Sequence, residues 1–185
     1  MFSKAVSHKL LWDFVVPETV EDSQRWILST MQRYGRELVG MLWRILGDEQ
    51  DVCDAYQSVF LQLAHRQERR KPEHIKGYVF RTASNVAISM LRRKIAERKT
   101  IFSVASYGES SNSSVDGFDS RGLTESLRCH ITQLPEYLRN VIILHDLGEL
   151  SYAQVAKILG ISSGTARVYR CKAIQLLAAR MNRQG

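Results

Sequence analysis

Residues 150–175 read LSYAQVAKILGISSGTARVYRCKAIQ, and their pattern decides the fold. Ser151 is placed to cap a helix whose apolar positions Val155, Ala156, Ile158 and Leu159 share one face. Gly160-Ile161-Ser162 then breaks that helix. Gly160 supplies a left-handed turn, Ile161 fills the angle between two helices, and Ser162 caps the next one. The second helix carries Ser163, Thr165, Arg167, Tyr169, Arg170 and Lys172, hydrogen-bonding or cationic side chains suited to a DNA groove. Helix, glycine turn and polar-basic helix together predict a helix-turn-helix and, with it, DNA binding. The competing reading is an ordinary helical hairpin at a bundle's end. The turn spacing and the chemistry of the second helix agree with each other, which favours the DNA-binding reading.

Working outward, 185 residues allow one domain or two small ones, and 44% apolar content with only three prolines suits helical cores. No run of about 18 apolar residues occurs, so no membrane insertion is expected. The start, MFSKAVSHKLLWDFVVPETVEDS, has an apolar patch from Leu10 to Val16 that Asp13 interrupts. The basic start and small-residue cleavage site of an export signal are weak or missing, so a cytoplasmic protein is expected. Cys53, Cys129 and Cys171 are isolated and far apart, fitting neither a disulfide framework nor a zinc spacing. Cys129-His130 is an adjacent pair that cannot hold a metal alone. No metal and no cofactor is expected.

The net charge of +7 is unevenly placed. Residues 1–65 carry six Lys/Arg against nine Asp/Glu, residues 66–99 eleven against three, and residues 100–185 nine against seven. From Gly160 onward there are five basic residues and no acidic ones. Two separate basic surfaces follow, one mid-chain and one on the helix-turn-helix. Clustered cations beside phosphate gain from counterion release, so nucleic acid is the expected partner.

Residues 102–122, FSVASYGESSNSSVDGFDSRG, show no apolar period and can bury too little to offset their ordering entropy. They read as a flexible linker. The expected organisation is an all-α chain of two small helical domains: a tail over 1–20, a domain over 21–100, a linker over 101–122, and a second domain over 123–185. In the first domain, Trp26, Ile27, Thr30, Met31, Tyr34, Leu38, Leu42, Trp43 and Ile45 recur at helical spacing, and Gly47 stops that helix. Asp48 is a good N-cap for the next, which runs to about Gln67. A loop at 68–73 precedes a helix from His74 to about Arg98. That helix buries Ile75, Tyr78, Val79, Thr82, Ala83, Val86, Ala87, Met90 and Leu91 and turns Lys76, Arg81, Ser84, Asn85, Arg92, Arg93 and Lys94 outward. Such a face suits a phosphate backbone and offers Asn85 to a base edge. In the second domain, Leu123, Leu127 and Ile131 define one helix, Pro135 opens another, and the helix-turn-helix completes a four-helix unit.

These pieces, in this order, resemble bacterial RNA polymerase sigma factors of the extracytoplasmic-function group, over about Glu21 to Arg180. Residues 51–60, DVCDAYQSVF, are similar to the family's D-A-E-D-x-x-Q-x-x-F signature, with Cys53 in place of Glu. The resemblance implies that Asp51, Asp54, Gln57 and Ser58 face the clamp helices of the polymerase core's largest subunit. Residues 77–93, GYVFRTASNVAISMLRR, are similar to W-L-x-x-I-A-x-N-x-x-I-D-x-x-R-R, with Tyr78, Thr82 and Ser89 as departures. By that likeness Arg69, Arg70, Lys71, Arg81, Ser84, Asn85, Arg92 and Arg93 bind the melted minus-10 element. Residues 134–141, LPEYLRNV, are similar to L-P-x-x-x-R-E-V, and the opening stretch matches the family's L-S-Y-x-E-I-A-x-x-L-G-I-S-x-G-T-V-K-S-R-L-x-R-A. This assigns Ser163, Thr165, Arg167, Tyr169, Arg170 and Lys172 to the minus-35 duplex. Val168, Tyr169, Arg170 and Lys172 depart from the usual residues and shift the positive charge by one position.

What the resemblance implies is promoter selection without chemistry, polymerase itself making the RNA, with polymerase core, promoter DNA and an inhibitory anti-sigma protein as partners. Three rival readings compete with it. A stand-alone helix-turn-helix regulator would lack the acidic Asp51–Asp54 flank and the separate basic domain. A small helical enzyme would need His65, His74, His130 or His145 paired with a carboxylate, and these show no pairing spacing. An adaptor would have a protein as its main partner.

Overall fold

The computed structural model describes residues 22–65, 72–105 and 120–183, and among these the chain is helical with no strand. Seven α-helices follow in order: α1 Asp22–Leu46, α2 Glu49–Ala64, α3 Ile75–Ala105, α4 Ser120–Thr132, α5 Glu136–Ile142, α6 Tyr152–Leu159 and α7 Ser163–Met181. A π-helical turn, Ile143–Leu147, continues α5. The all-α class expected from the periodicity is what the structure shows. The tail over 1–20 and most of the segment read as a linker lie outside the described residues. Five residues of that segment, 101–105, instead extend α3, and α4 begins three residues earlier than expected.

Local signals account for the ends. Gly47, at φ +73°, stops α1. The Asp48 carboxylate accepts from the Gln50 and Asp51 amides at 3.1 and 3.2 Å and caps α2. Each such cap contributes about 1 kcal/mol.

Helices α1, α2 and α3 form one half of the core, with Met41, Leu42, Ala55, Val59, Val79 and Phe80 fully enclosed. Two expectations are corrected. Trp43 is 38% exposed, and Phe80, left out of the expected core, is 0% exposed with its ring edge-on to Tyr34 at 6.4 Å. The reason is that α3 packs on two sides. It meets α1 and α2 of its own half, and also α4, α6 and the π turn of the other half. More than one helical stripe of α3 is therefore buried, and Ser84 and Ile88 go in with Phe80.

The second half packs α5, α6 and α7 around Leu138, Val141, Ile143, Leu144, Leu150 and Val155. The π turn closes with Gly148 N–H donating to the Ile143 carbonyl at 2.7 Å. A Cβ at Gly148 would lie 2.7 Å from the Leu144 carbonyl oxygen and 3.3 Å from Met41 Sδ of α1, so only glycine fits. Glu149 follows at φ +55°, the sole non-glycine residue with positive φ among the described residues. That conformation costs on the order of 1–3 kcal/mol. Its carboxylate pairs with Arg44 of α1, whose guanidinium also donates to the Leu147 carbonyl at 2.8 Å. The pair is exposed on both sides and contributes only about 0.2–1 kcal/mol. Apolar packing therefore carries most of the contact between the halves, and the buried core runs through it as one cluster.

Candidate nucleic-acid interface

The helix-turn-helix is built by its own caps. Ser151 Oγ accepts from Gln154 N–H at 3.3 Å while the Gln154 side chain accepts from Ser151 N–H at 2.9 Å, a reciprocal box. Gly160 sits at φ +69°. Ser162 Oγ accepts from Thr165 N–H at 2.9 Å and starts α7. Ala166, Ala173 and Leu177 form the buried face of α7, small residues that let it approach the rest of the half closely.

The opposite face of α7 is an exposed stripe at i, i+3, i+4 spacing: Gly164, Arg167, Val168, Cys171, Lys172 and Gln175. Two of these, Arg167 and Lys172, are among the residues the sequence points to. The helical period starting from Arg167 would have found the others, but selection by side-chain polarity passed over Val168 and Cys171. Ser163 and Thr165 are half-exposed at the start of α7.

Arg167 lies over the Tyr152 ring, its Cζ 5.3 Å from the centroid. Tyr152 in turn stacks on His145 at 4.0 Å, and His145 Nδ1–H donates to the Leu150 carbonyl at 2.7 Å. The guanidinium of Arg167 is thus seated on a stack anchored to the turn before α6.

Arg170 is placed otherwise than expected. Its Nε lies 2.9 and 3.0 Å from the two oxygens of Asp146 and its Nη2 2.7 Å from one of them, a side-on bidentate pair. Hydrogen bonds to Asp146 hold its pKa above the ordinary arginine value. Asp146 belongs to the π turn, so Arg170 braces α7 against that turn and its fork is already occupied. Tyr169 likewise leans inward, edge-on to Tyr137 with centroids 5.0 Å apart.

On α3 the exposed polar stripe is Arg81, Asn85, Ser89 and Arg92, with Arg93 alongside. Ser84, expected on this face, is 3% exposed and belongs to the core, for the packing reason given above. Arg92 Nη2 donates to the Thr132 carbonyl at the C-terminal end of α4, 3.0 Å away. Arg139 and Arg180 reach the same turn, donating to the Leu134 and His130 carbonyls at 3.0 and 3.4 Å. Arg69, Arg70 and Lys71 lie outside the described residues.

On α2, Asp54 and Gln57 are exposed, and Leu61 one turn further on is 52% exposed. Ser58 is half-buried. Asp51 is held by Lys94 of α3, so it ties two helices together rather than standing free. An apolar groove beside this face, between α1 and α2, is lined by Leu28, Met31, Tyr56, Gln57, Phe60 and Leu61. Burial there pushes the Tyr56 phenol up to about 12. The Cys53 thiol is raised by burial and by the charges of Glu49 and Asp54. Among the described residues no group of three or more His, Cys, Asp or Glu side chains is placed to hold a metal, and no helix is long and apolar enough to cross a membrane.

Comparison with known proteins agrees with this geometry. The family described as Sigma-70 region 2 matches residues 30–96, and Sigma-70, region 4 matches residues 124–177, together about two thirds of the chain. A curated relative, the ECF RNA polymerase sigma factor SigE of Mycolicibacterium smegmatis, is 25% identical over 141 residues, 74% of this chain. The chain spans about half the length of that relative, 54%. Among solved structures, CnrH in complex with the cytosolic domain of CnrY superposes with a TM-score of 0.54 at 19% identity, covering 88% of this chain and 91% of that one. The sigma factor RpoE in complex with the anti-sigma factor NepR from Bartonella quintana gives 0.47 at 18% identity, covering 83% and 97%. The first superposition shows a shared fold, and the family matches fall on α1 to α3 for region 2 and on α4 to α7 for region 4. The chain belongs to the sigma-70 family, in its extracytoplasmic-function group.

Proposed function

We propose that this chain is a transcription initiation factor that brings RNA polymerase core to particular promoters, with residues 21–100 and 123–185 as its two working domains. The observation that carries this reading is the pair of exposed stripes bearing arginines, 81–92 on α3 and 164–175 on α7, one in each half of a sigma-70 chain. Helix α7 enters the major groove of the minus-35 duplex. Arg167 reads a base edge there, Ser163, Thr165 and Lys172 hold the backbone, and Arg170 acts as a positioning residue through Asp146. The Arg81–Asn85–Arg92 face, with Arg93 and the basic run Arg69 to Lys71, takes the melted minus-10 strand. Unstacking each base costs a few kcal/mol, offset by stacking and hydrogen bonds. Asp54 and Gln57, with Ser58 and Asp51 beside them, dock on the clamp helices of core. The apolar groove at Leu28, Phe60 and Leu61 extends that surface. Chemistry stays with polymerase. An anti-sigma protein is a further partner by family likeness.

The experiment that tests the whole reading sequences RNA 5′ ends made by core polymerase with and without this protein. A new set of starts sharing one upstream motif is expected. Unchanged starts, together with tight duplex binding by the protein alone, would instead establish a stand-alone regulator.

Cys171 offers a second test, because it lies mid-stripe and exposed while Cys53 and Cys129 are half-buried. Attaching a bulky maleimide there should reduce duplex binding by about tenfold or more, since the adduct stands where the groove would close on α7. A Cys171→Ser variant should resist the reagent. Full binding by the labelled protein would place the DNA face elsewhere on α7.

A further inference from the structure

The crest of α7, the line turned directly away from its buried face, begins with an apolar side chain. At about 100° per residue, Val168 stands about 160° around the helix from Ala166, about 140° from Ala173 and about 180° from Leu177, the buried residues of α7. Gly164 and Gln175 share this line. Gly164 carries no side chain and Gln175 lies two turns further on, so Val168 is the first side chain the crest presents. It is 52% exposed. Ile174 and Leu176 are also exposed, but they lie well to the sides, at about 120° and about 80° from Val168.

A singly exposed apolar residue is ordinary, and exposure alone would say nothing. What distinguishes Val168 is its company. Arg167 and Lys172 flank it on opposite sides, and the chain holds no acidic residue from Gly160 to its last described residue. A helix with cations on its flanks and an apolar crest matches a major groove with phosphates along its walls and base edges on its floor. Recognition helices touch those edges with their N-terminal residues, and Val168 lies in the second turn of α7.

The chemistry of the side chain then selects the base. Valine has no donor and no acceptor. Facing guanine, adenine or cytosine it would strip water from a polar edge and return no hydrogen bond. Thymine alone presents a methyl group, at C5, to the major groove. Branching at Cβ restricts valine in a helix to essentially one rotamer, so its two methyls are already fixed before DNA arrives.

We infer that Val168 is a specificity-determining residue that reads a thymine, packing on the C5 methyl of a T·A pair in the minus-35 duplex. That pair lies within about two base pairs of the one Arg167 reads, since neighbouring Cα atoms are about 3.8 Å apart and base pairs about 3.4 Å. The inference deepens the proposed function and rests on it. Val168 is also one of this chain's departures from the sigma-factor pattern, which has serine here, a residue able to pair with several polar edges. The thymine preference is therefore this chain's own.

Uracil in place of thymine deletes that methyl and leaves every hydrogen-bonding group of the pair unchanged, which supplies the test. Each thymine of the minus-35 duplex is replaced in turn by uracil, and binding of the full chain is followed by anisotropy at fixed salt. One replacement should weaken binding about fourfold, the value of one buried methyl. Val168→Ala, which favours helix at an exposed site and so keeps the fold, should bind the thymine and uracil duplexes equally at that position. Val168→Ser should do the same and accept other base pairs there. The absence of any uracil-sensitive position, or the same loss on uracil in Val168→Ala as in the parent chain, overturns the inference. If base preference persists and Arg167→Ala still flattens one position, this inference alone falls. A chain that binds all duplexes alike overturns the minus-35 reading and this inference with it.

Discussion

Replacing Arg167 by alanine is expected to weaken minus-35 duplex binding by about tenfold to a hundredfold, with a small loss of stability. A good bidentate contact to a base edge discriminates by about 1–3 kcal/mol. Arg167 is the arginine whose fork is both exposed and seated, on the Tyr152 ring that stacks on His145. That seat restricts its rotamers before DNA arrives, which lowers the entropy cost of the contact. The folded state loses only a surface cation–π contact, about 0.5–1 kcal/mol. Arg170→Ala should differ in how binding is lost. It strips Asp146 of its bidentate partner and loosens α7 from the π turn, lowering stability by about 1 kcal/mol for a half-exposed pair and weakening all duplexes alike. Anisotropy on a panel of single-base duplex variants separates the two, because Arg167→Ala should flatten the preference at one position without changing the salt slope. A uniform loss with a slope reduced by about one would make Arg167 a phosphate contact instead. An altered base preference in Arg170→Ala, at unchanged stability, would make Arg170 the reader.

The contrast between these two arginines shows what was legible in the sequence. The helix-turn-helix is written in residues a few positions apart: Ser151 with Gln154, Gly160, Ser162 with Thr165. Each of these interactions closes within one turn, so local chemistry determines it and the structure repeats it. The same holds for Asp48 and Gly47. Arg170 differs because its partner is 24 residues away, and Asp146 reaches it only by way of a π-helical turn that no periodicity announced. Polarity alone places Ser84 on the outer face of α3. Its burial depends on a second set of helices packing onto α3, a fact that amphipathic spacing within one helix does not contain. The contact of Gly77 with Ile158 joins positions in different halves of the chain. Long-range contacts of that kind decide which cations are left free for DNA, so the kind of surface could be read more fully than its membership.

Phe80→Ala carries the largest expected loss of stability. The ring is 0% exposed, edge-on to Tyr34 at 6.4 Å, with Lys76 Nζ 5.3 Å from its centroid. Truncating a buried phenylalanine costs about 3–5 kcal/mol, a large share of the roughly 5–15 kcal/mol that holds a domain together. The first half, α1 to α3, should then be largely unfolded at moderate denaturant, and with it the Asp54–Gln57 face, so polymerase binding should disappear. The second half has its own enclosed residues, Val141, Ile143, Leu144 and Val155. Its caps at Ser151 and Ser162 and its brace at Asp146–Arg170 also lie wholly within it. It should remain folded and keep binding the minus-35 duplex. Two probes distinguish this from a single cooperative unit: loss of core binding, and loss of duplex anisotropy, each followed against urea. Separated midpoints in Phe80→Ala are expected, because the second half keeps enclosed residues, caps and a brace of its own. Coincident midpoints would mean that the apolar cluster running between the halves couples them into one cooperative unit.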